Sequence, residues 1–233
     1  MQLPYFYQKD IDTSKTQIVL SEETSKHCVQ VLRMKAGEQL QLTNGIGDLL
    51  TAEIIVADKR NSIVKIIQTS NYQPQTKKVS IAISILKNAS RFEWFLEKAT
   101  EIGITEIIPI ISKRTERQHF RFDRMNSILI AAMLQSQQTF LPLLHEPISY
   151  NEIFTSSNYQ TKLIAHCEED KKTSLKEINL SNSTQILIGP EGDFTPEEIT
   201  LALQNNYLPV TLGSTRLRTE TAGIVAASLL MNY

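Results

Sequence analysis

Cysteine is scarce in this 233-residue chain, which has only Cys28 and Cys167. They stand far apart, so neither a disulfide framework nor a metal-type cysteine spacing is available. A reducing compartment fits this usage better than an oxidising one. An excess of one charge is lacking too. Lys and Arg total 24 against 25 Asp and Glu, a formal net charge of −1. No global field therefore pulls the chain toward nucleic acid or an acidic membrane, and any nucleic-acid site must be a local patch. No apolar run approaches the roughly 20 residues of a membrane span. The opening Met1-Gln2-Leu3-Pro4-Tyr5-Phe6 lacks the basic-then-apolar order of a signal peptide. The expectation is a soluble cytoplasmic protein with no membrane partner. The four histidines do not cluster and no zinc spacing occurs, so no metal is expected. G-x-S-x-G, G-x-G-x-x-G and a Walker lysine are also missing.

What is present is a chain that is 41% hydrophobic, enough to bury a core, with two rhythms. Residues 1–72 read as short strands and turns. Leu40 and Leu42 alternate with Gln39, Gln41 and Thr43, the period-2 pattern of a half-buried strand. Asn44-Gly45 signals a turn, and apolar runs follow at 54–56 and 63–67. Only Ser21 to Met34 looks helical here, and the whole suggests a small β-barrel. A polar linker over 71–78 leads into the second region, 73–233, where strands alternate with helices. Val79 to Leu86 is an apolar strand. Ser90-Arg91-Phe92-Glu93 reads as a capping box before a helix that stops at Gly103. A second helix is predicted from Asp123 to about Phe140. Further strands fall at 107–111, 163–165, 185–188 and 210–212. Thr195-Pro196-Glu197-Glu198 opens one more helix, and the last runs over 220–232. This order predicts an α/β domain with a mostly parallel sheet. From Thr221 to Tyr233 there is no charged residue, so the last helix must be covered on most sides, by its own domain or by a second subunit.

The chemistry-bearing segments lie near the end. Ile186-Leu187-Ile188-Gly189-Pro190-Glu191-Gly192 and Leu212-Gly213-Ser214-Thr215-Arg216-Leu217-Arg218-Thr219-Glu220-Thr221 each run from an apolar strand through a glycine turn toward a helix start. Facing each other, they would offer backbone groups, two arginines and two glutamates to one small polar molecule. Arg218 and Glu220 would point into that pocket. In the plainer alternative, Glu220 only stabilises a helix N-terminus and an arginine pairs with it. Lys113 to Arg124 carries five Lys or Arg and two acidic residues with Phe120 and Phe122 interleaved. Those types suit phosphate contacts and base stacking, or equally a solvated loop. Arg33 and Lys35 follow the N-terminal helix. His166 beside Cys167 ends a strand.

These motifs resemble a known family. Gly189-Pro190-Glu191-Gly192 with Leu212-Gly213, Leu217-Arg218 and Glu220-Thr221-Ala222 is similar to the C-terminal signature of the RsmE family, the 16S ribosomal RNA uridine N3-methyltransferases of the knotted SPOUT superfamily. His27, Val31-Leu32-Arg33 and Gly37 resemble its N-terminal segment, Phe92 to Ile104 its first catalytic helix, and Ser112-Lys113-Arg114 its basic loop. The resemblance implies a PUA-like RNA-binding β-barrel at 1–72. It implies a SPOUT-type trefoil-knotted α/β domain at 73–233, binding S-adenosylmethionine and pairing as a homodimer through that domain. It implies that Leu187, Ile188, Gly189, Pro190, Glu191, Gly192, Leu212, Gly213, Leu217, Arg218 and Thr221 hold the cofactor. Arg218 and Glu220 become the catalytic candidates, with the base unassigned between them. Arg33, Lys35, Arg91, Lys98, Arg114 and Arg117 would bind phosphates of 16S rRNA in the small subunit. Two departures stand out: relatives often have glycine where Asp193 stands, and many have arginine at Gln138. Two other readings stay open, a non-catalytic RNA-binding module and a related knotted methyltransferase acting on another RNA or on ribose.

Overall fold

The computed structural model describes residues 3–116, 118–156, 158–168 and 172–232. The chain divides into two compact units, Met1–Pro74 with Met133–Leu141, and Gln75–Ala132 with Pro142–Tyr233.

In the first unit, β1 (Tyr5–Tyr7), β2 (Gln17–Val19), β3 (Gln39–Thr43), β4 (Asp48–Val56) and β5 (Ile63–Asn71) form a curled sheet in the order β1-β3-β4-β5-β2. Only β1 pairs in parallel, with β3. Alternation sets its inner face: Leu50, Ala52 and Ile54 of β4 are fully buried, and Leu40, Leu42 and Val64 join them. Each such aliphatic side chain contributes about 1.5–3 kcal/mol relative to exposure. The Asn44-Gly45 turn forms as its residues dictate. Gly45 takes φ +76°, and Asn44 Oδ1 accepts from the N–H groups of Ile46 and Asp48.

The helix expected over 21–34 is shorter and irregular. Only α1 (Glu22–Lys26) is α-helical, and His27–Val31 widens into a π-turn closed by the Leu32 N–H donating to His27 O at 3.0 Å. The turn carries Cys28 fully into the core, and Arg33 leaves it in the left-handed region at φ 57°. Residues 133–141 also belong to this unit. The helix expected to reach Phe140 is α3 (Phe122–Gln135); Gln137 at φ 57° ends it. Phe140 then bridges to Ile46, and the Gly47 N–H donates to Thr139 O. The backbone carbonyl of Gln138 accepts from Tyr5 Oη–H at 2.8 Å.

The second unit is a parallel sheet with helices on both faces. Its strands are β6 (Lys78–Ser84), β7 (Glu106–Ile111), β8 (Leu143–Leu144), β9 (Ile148–Ser149), β10 (Thr161–Ala165), β11 (Thr173–Ser174), β12 (Ser183–Ile188) and β13 (Leu208–Thr211). They run in the order β11-β13-β10-β12-β6-β7-β8, with β9 also on β7. The outer pairing of β7 splits at Pro109: β8 pairs with Glu106 and Ile107, β9 with Ile110 and Ile111. Proline has no N–H for a continuous ladder. On one face Ala82, Ile108, Ile110 and Leu187 pack with Tyr150, Phe194 and Tyr207, beside short α4 (Ile153–Ser156) and α5 (Pro196–Gln204). On the other lie α2 (Ala89–Ile102) and α6 (Thr219–Met231).

The α5 capping box forms as predicted, with Thr195 Oγ1 accepting from the Glu198 N–H and Glu198 Oε2 from the Thr195 N–H. The box expected at Ser90 does not. Asn88 caps α2 instead, accepting from the Ser90 N–H, while Glu93 receives a two-pronged contact from Arg124 at 2.5 and 2.8 Å. A charge-assisted fork outcompetes a single capping bond. Gly103 ends α2 at φ 93°, as expected.

The sheet order departs from chain order. After β10 the chain reaches the β11 position, comes back to form β12 beside β10, and then inserts β13 between β10 and β11. It finally returns to lay α6 against α2, β6 and β12.

Candidate active site

β13, β10 and β12 are neighbours, and Ala165 is in register with both Ile188 and Val210. Their C-terminal ends are therefore level, and the loops that leave them open on one edge. In open parallel sheets such an edge, where the connection reverses direction, is where ligands bind.

A cavity of about 420 Å³ lies there, within the roughly 300–1,000 Å³ of small-molecule sites. Three loops and the start of α6 line it. Ala165 ends β10, and His166 and Cys167 follow it; Ile188 ends β12, and Gly189, Pro190, Glu191 and Asp193 follow it; Val210 to Gly213 end β13; Thr215 to Thr219 and Ala222 complete it. Of the residues the sequence nominated for a ligand, Ile188, Gly189, Pro190, Glu191, Leu212, Gly213, Leu217 and Arg218 are together on this wall. Leu187, Gly192 and Thr221 are not. Leu187 is buried in the opposite-face core, Gly192 lies under Arg114, and Thr221 is half-buried on α6.

The β10 loop was missed. Its one sequence signal was a polar His166-Cys167 pair ending an apolar strand, which becomes meaningful only once β10 is known to lie between β12 and β13. Asp193 joins the two loops. Its Oδ2 accepts from the Cys167 N–H at 2.7 Å and its Oδ1 from the Phe194 N–H at 2.8 Å. Burial and then the nearby Asp193 carboxylate push the Cys167 thiol up from its ordinary pKa. Asp193 adopts φ 63°, a region glycine enters freely and aspartate only with side-chain help. This accounts for the departure at that position: the backbone shape suits glycine, and the carboxylate adds a tie that glycine lacks.

The catalytic candidates separate. Arg218 is the N-cap of α6, makes no side-chain capping bond, and lines the cavity. Glu220 is buried outside the lining, in the first turn of α6. Its Oε1 is 3.7 Å from Arg91 Nε, and its buried Oε2 has no hydrogen-bond partner among the described residues. The arginine that pairs with it thus comes from α2, not from the 216–218 loop.

The phosphate candidates also diverge. Arg33 and Lys35 are exposed. Arg91 is half-buried on Glu220. Lys98 Nζ donates to Glu97 and Glu101 at 2.6 and 2.9 Å, and these partners raise its pKa. Arg114 Nη1 donates to Gly192 O at 2.7 Å. Arg117 lies outside the described residues. Among the described residues no three His, Cys, Asp or Glu side chains gather as a metal site, and no helix is long and apolar enough to cross a membrane.

A loop-lined cavity at the carboxyl edge of a parallel sheet, in an α/β unit joined to a small curled sheet, defines a ligand-binding α/β protein with an accessory domain. The chain belongs to the RNA methyltransferase domain family, whose model matches residues 73–231. A second model, the RNA methyltransferase PUA domain, matches residues 20–67. Ribosomal RNA small subunit methyltransferase E of Rickettsia conorii is 32% identical over 217 residues, covering 91% of this chain and 88% of the relative. The structure titled a probable rRNA-methyltransferase from Porphyromonas gingivalis is 36% identical, with TM-score 0.89 over 97% of this chain and 95% of that one. Ribosomal RNA small subunit methyltransferase E of Neisseria gonorrhoeae, solved bound to S-adenosyl methionine, is 29% identical, with TM-score 0.88 over 97% of this chain and 96% of that one.

Proposed function

We propose that this chain methylates N3 of a uridine in 16S ribosomal RNA of the small subunit, using S-adenosylmethionine, in the cytoplasm. Residues 1–72 act as the PUA-like RNA-binding domain and 73–233 as the catalytic domain. The observation that carries this reading is the meeting of three level strand-end loops around one cavity within the segment that matches the RNA methyltransferase domain.

The cavity's chemistry fits such a cofactor. Its wall alternates apolar side chains (Ile188, Pro190, Leu212, Leu217) with backbone at strand ends. At Gly213 a Cβ would meet nothing within 4 Å, so the main chain there is open to a ligand. When bound, the cofactor supplies a methyl group already activated on a positively charged sulfur. The protein's work is then alignment. Ile188 to Glu191 and Leu212, Gly213 and Leu217 bind the cofactor, with Leu187, Gly192 and Thr221 supporting them from behind. Arg218, whose guanidinium has no hydrogen-bond or ion-pair partner among the described residues, orients the uracil carbonyls. Glu220, buried outside the lining with its Oε1 3.7 Å from Arg91 Nε, supports the start of α6 from which Arg218 reaches the cavity, and the N3 proton leaves to solvent water as the methyl group transfers. The uracil reaches this wall unstacked, as any base does that undergoes chemistry. Arg33 and Lys35, both exposed, contact RNA phosphates.

Two copies pair through α6. The support is the lack of charge after Glu220: Gly223, Ala226, Ala227 and Leu230 are buried within the chain, whereas Ile224, Val225, Leu229 and Met231 remain half-exposed. Titration calorimetry with S-adenosylmethionine tests the enzymatic reading. Saturable binding is expected, and no heat of binding would leave only an RNA-binding module.

A further inference from the structure

We infer that Arg114 is a positioning residue of the cofactor cavity, not an RNA phosphate contact. This rests on the function proposed above and concerns how its pocket is held. Arg114 follows β7 in the basic segment, so composition alone assigns it to nucleic acid. Its surroundings assign it to the β12 loop. Nη1 donates to Gly192 O at 2.7 Å and also approaches Phe194 O at 3.4 Å. Its stem lies across Gly192, where an added Cβ would come 3.3 Å from Arg114 Cδ and 3.5 Å from its Cβ.

Gly192 is not among the residues with positive φ, so the backbone does not demand glycine there. An added Cβ would press on the arginine stem, 3.3 Å from its Cδ. The arginine is itself fixed, because the Ser112 N–H donates to Thr115 Oγ1 and the Thr115 N–H to Ser112 O, both at 3.0 Å.

The turn it clamps is the one the cavity uses. The Asp193 N–H donates to Pro190 O at 2.9 Å, and Pro190, Glu191 and Asp193 all line the wall. Asp193 ties one flank of this turn to Cys167, and Arg114 holds the other. Arg114 does not touch the cavity, so it acts through the turn.

The test compares Arg114→Ala and Arg114→Lys. Lysine keeps the charge a phosphate needs, but its ammonium ends one bond short of Nη1 and lacks the planar group that aims it at Gly192 O. Calorimetry gives the Kd for S-adenosylmethionine in the absence of RNA. Anisotropy gives the affinity for a labelled 16S rRNA fragment, and steady-state kinetics separate KM from kcat. Both variants should raise Kd and KM for the cofactor roughly ten-fold, the loss of about one charge-assisted hydrogen bond. RNA affinity and kcat at saturating cofactor should stay within about two-fold. Unchanged cofactor Kd with weakened RNA binding in Arg114→Ala, or wild-type cofactor binding in Arg114→Lys, overturns the inference. Should Arg114→Ala not fold, Gly192→Ala presses on the same stem and is expected to raise Kd a few-fold in the folded enzyme; an unchanged Kd there counts against the inference. Wild-type protein that binds no S-adenosylmethionine would instead sink the function on which it rests.

Discussion

Replacing Asp193 probes how the cavity is shaped, because alanine and glycine should not behave alike. Asp193 sits at φ 63° and its carboxylate accepts two backbone N–H groups, from Cys167 and Phe194. The site is partly solvated, so each bond is worth about 1 kcal/mol, the value of an ordinary neutral hydrogen bond. Both variants lose about 2 kcal/mol on that account. Glycine recovers part of it by relaxing the left-handed backbone, for a net loss of about 1–2 kcal/mol. Alanine recovers nothing, because it keeps the Cβ that aspartate already carries in that region, and its total loss stays at about 2 kcal/mol. At this chain length about 1 kcal/mol moves the midpoint by roughly 2–4 °C. Thermal and urea unfolding of the two variants should therefore rank wild type above Asp193→Gly and Asp193→Gly above Asp193→Ala. Calorimetry should show cofactor binding weakened in both, since the β10 loop is no longer tied to the β12 loop. If Asp193→Ala unfolds no earlier than Asp193→Gly, the backbone argument is wrong. If both match wild type in stability and cofactor Kd, the tie does not matter.

Gly223→Ala places a Cβ 2.6 Å from Phe95 Cε2 and 3.1 Å from Ile83 Cδ1; the overpacking cost of about 1–3 kcal/mol should outweigh the roughly 1 kcal/mol gained in helix propensity, and a raised midpoint would contradict the close approach of α6 to α2. Arg218→Ala should lower methyl transfer at least 100-fold on the scale of a lost catalytic contact while shifting the midpoint little, because its side chain makes no hydrogen bond or ion pair among the described residues; near-wild-type transfer would remove it from the mechanism. The Cys167 thiol has a raised pKa, so its thiolate appears only at higher pH, and alkylation at neutral pH should be slower than for free cysteine and quicken as pH rises. Because Cys167 lines the cavity, bound S-adenosylmethionine should protect it, which peptide mass spectrometry reads; equal labelling with and without cofactor would count against the site. Cys28, fully buried with its thiol pushed up to about 11, should stay unlabelled in the native protein.

The parts of the fold legible in the sequence are those with a local cause. The Asn44-Gly45 turn, the Thr195 capping box and the Gly103 stop each rest on a few neighbouring residues, and each forms. The long apolar strands announced themselves by composition. The short ones did not: β1, β2, β8, β9 and β11 have two or three residues each, too few to display a period, and they exist because partners distant in sequence supply their hydrogen bonds. The helix predicted over 21–34 is interrupted because burying Cys28 outweighs regular winding. The cavity was half legible. Two of its loops carry glycine-turn motifs close together in the chain, whereas the third belongs to the site only through the strand order that sets β10 between β12 and β13. Composition also cannot say that Arg91 faces Glu220 or that Arg114 Nη1 donates to Gly192 O.

The reaction itself is tested most directly by incubating the protein with S-adenosylmethionine and small ribosomal subunits lacking the modification, then digesting the 16S rRNA to nucleosides for mass spectrometry. A single new 3-methyluridine, lost in Arg218→Ala, is the predicted product. A methylated ribose, a methylated base other than uracil, or no transfer at all would contradict the account.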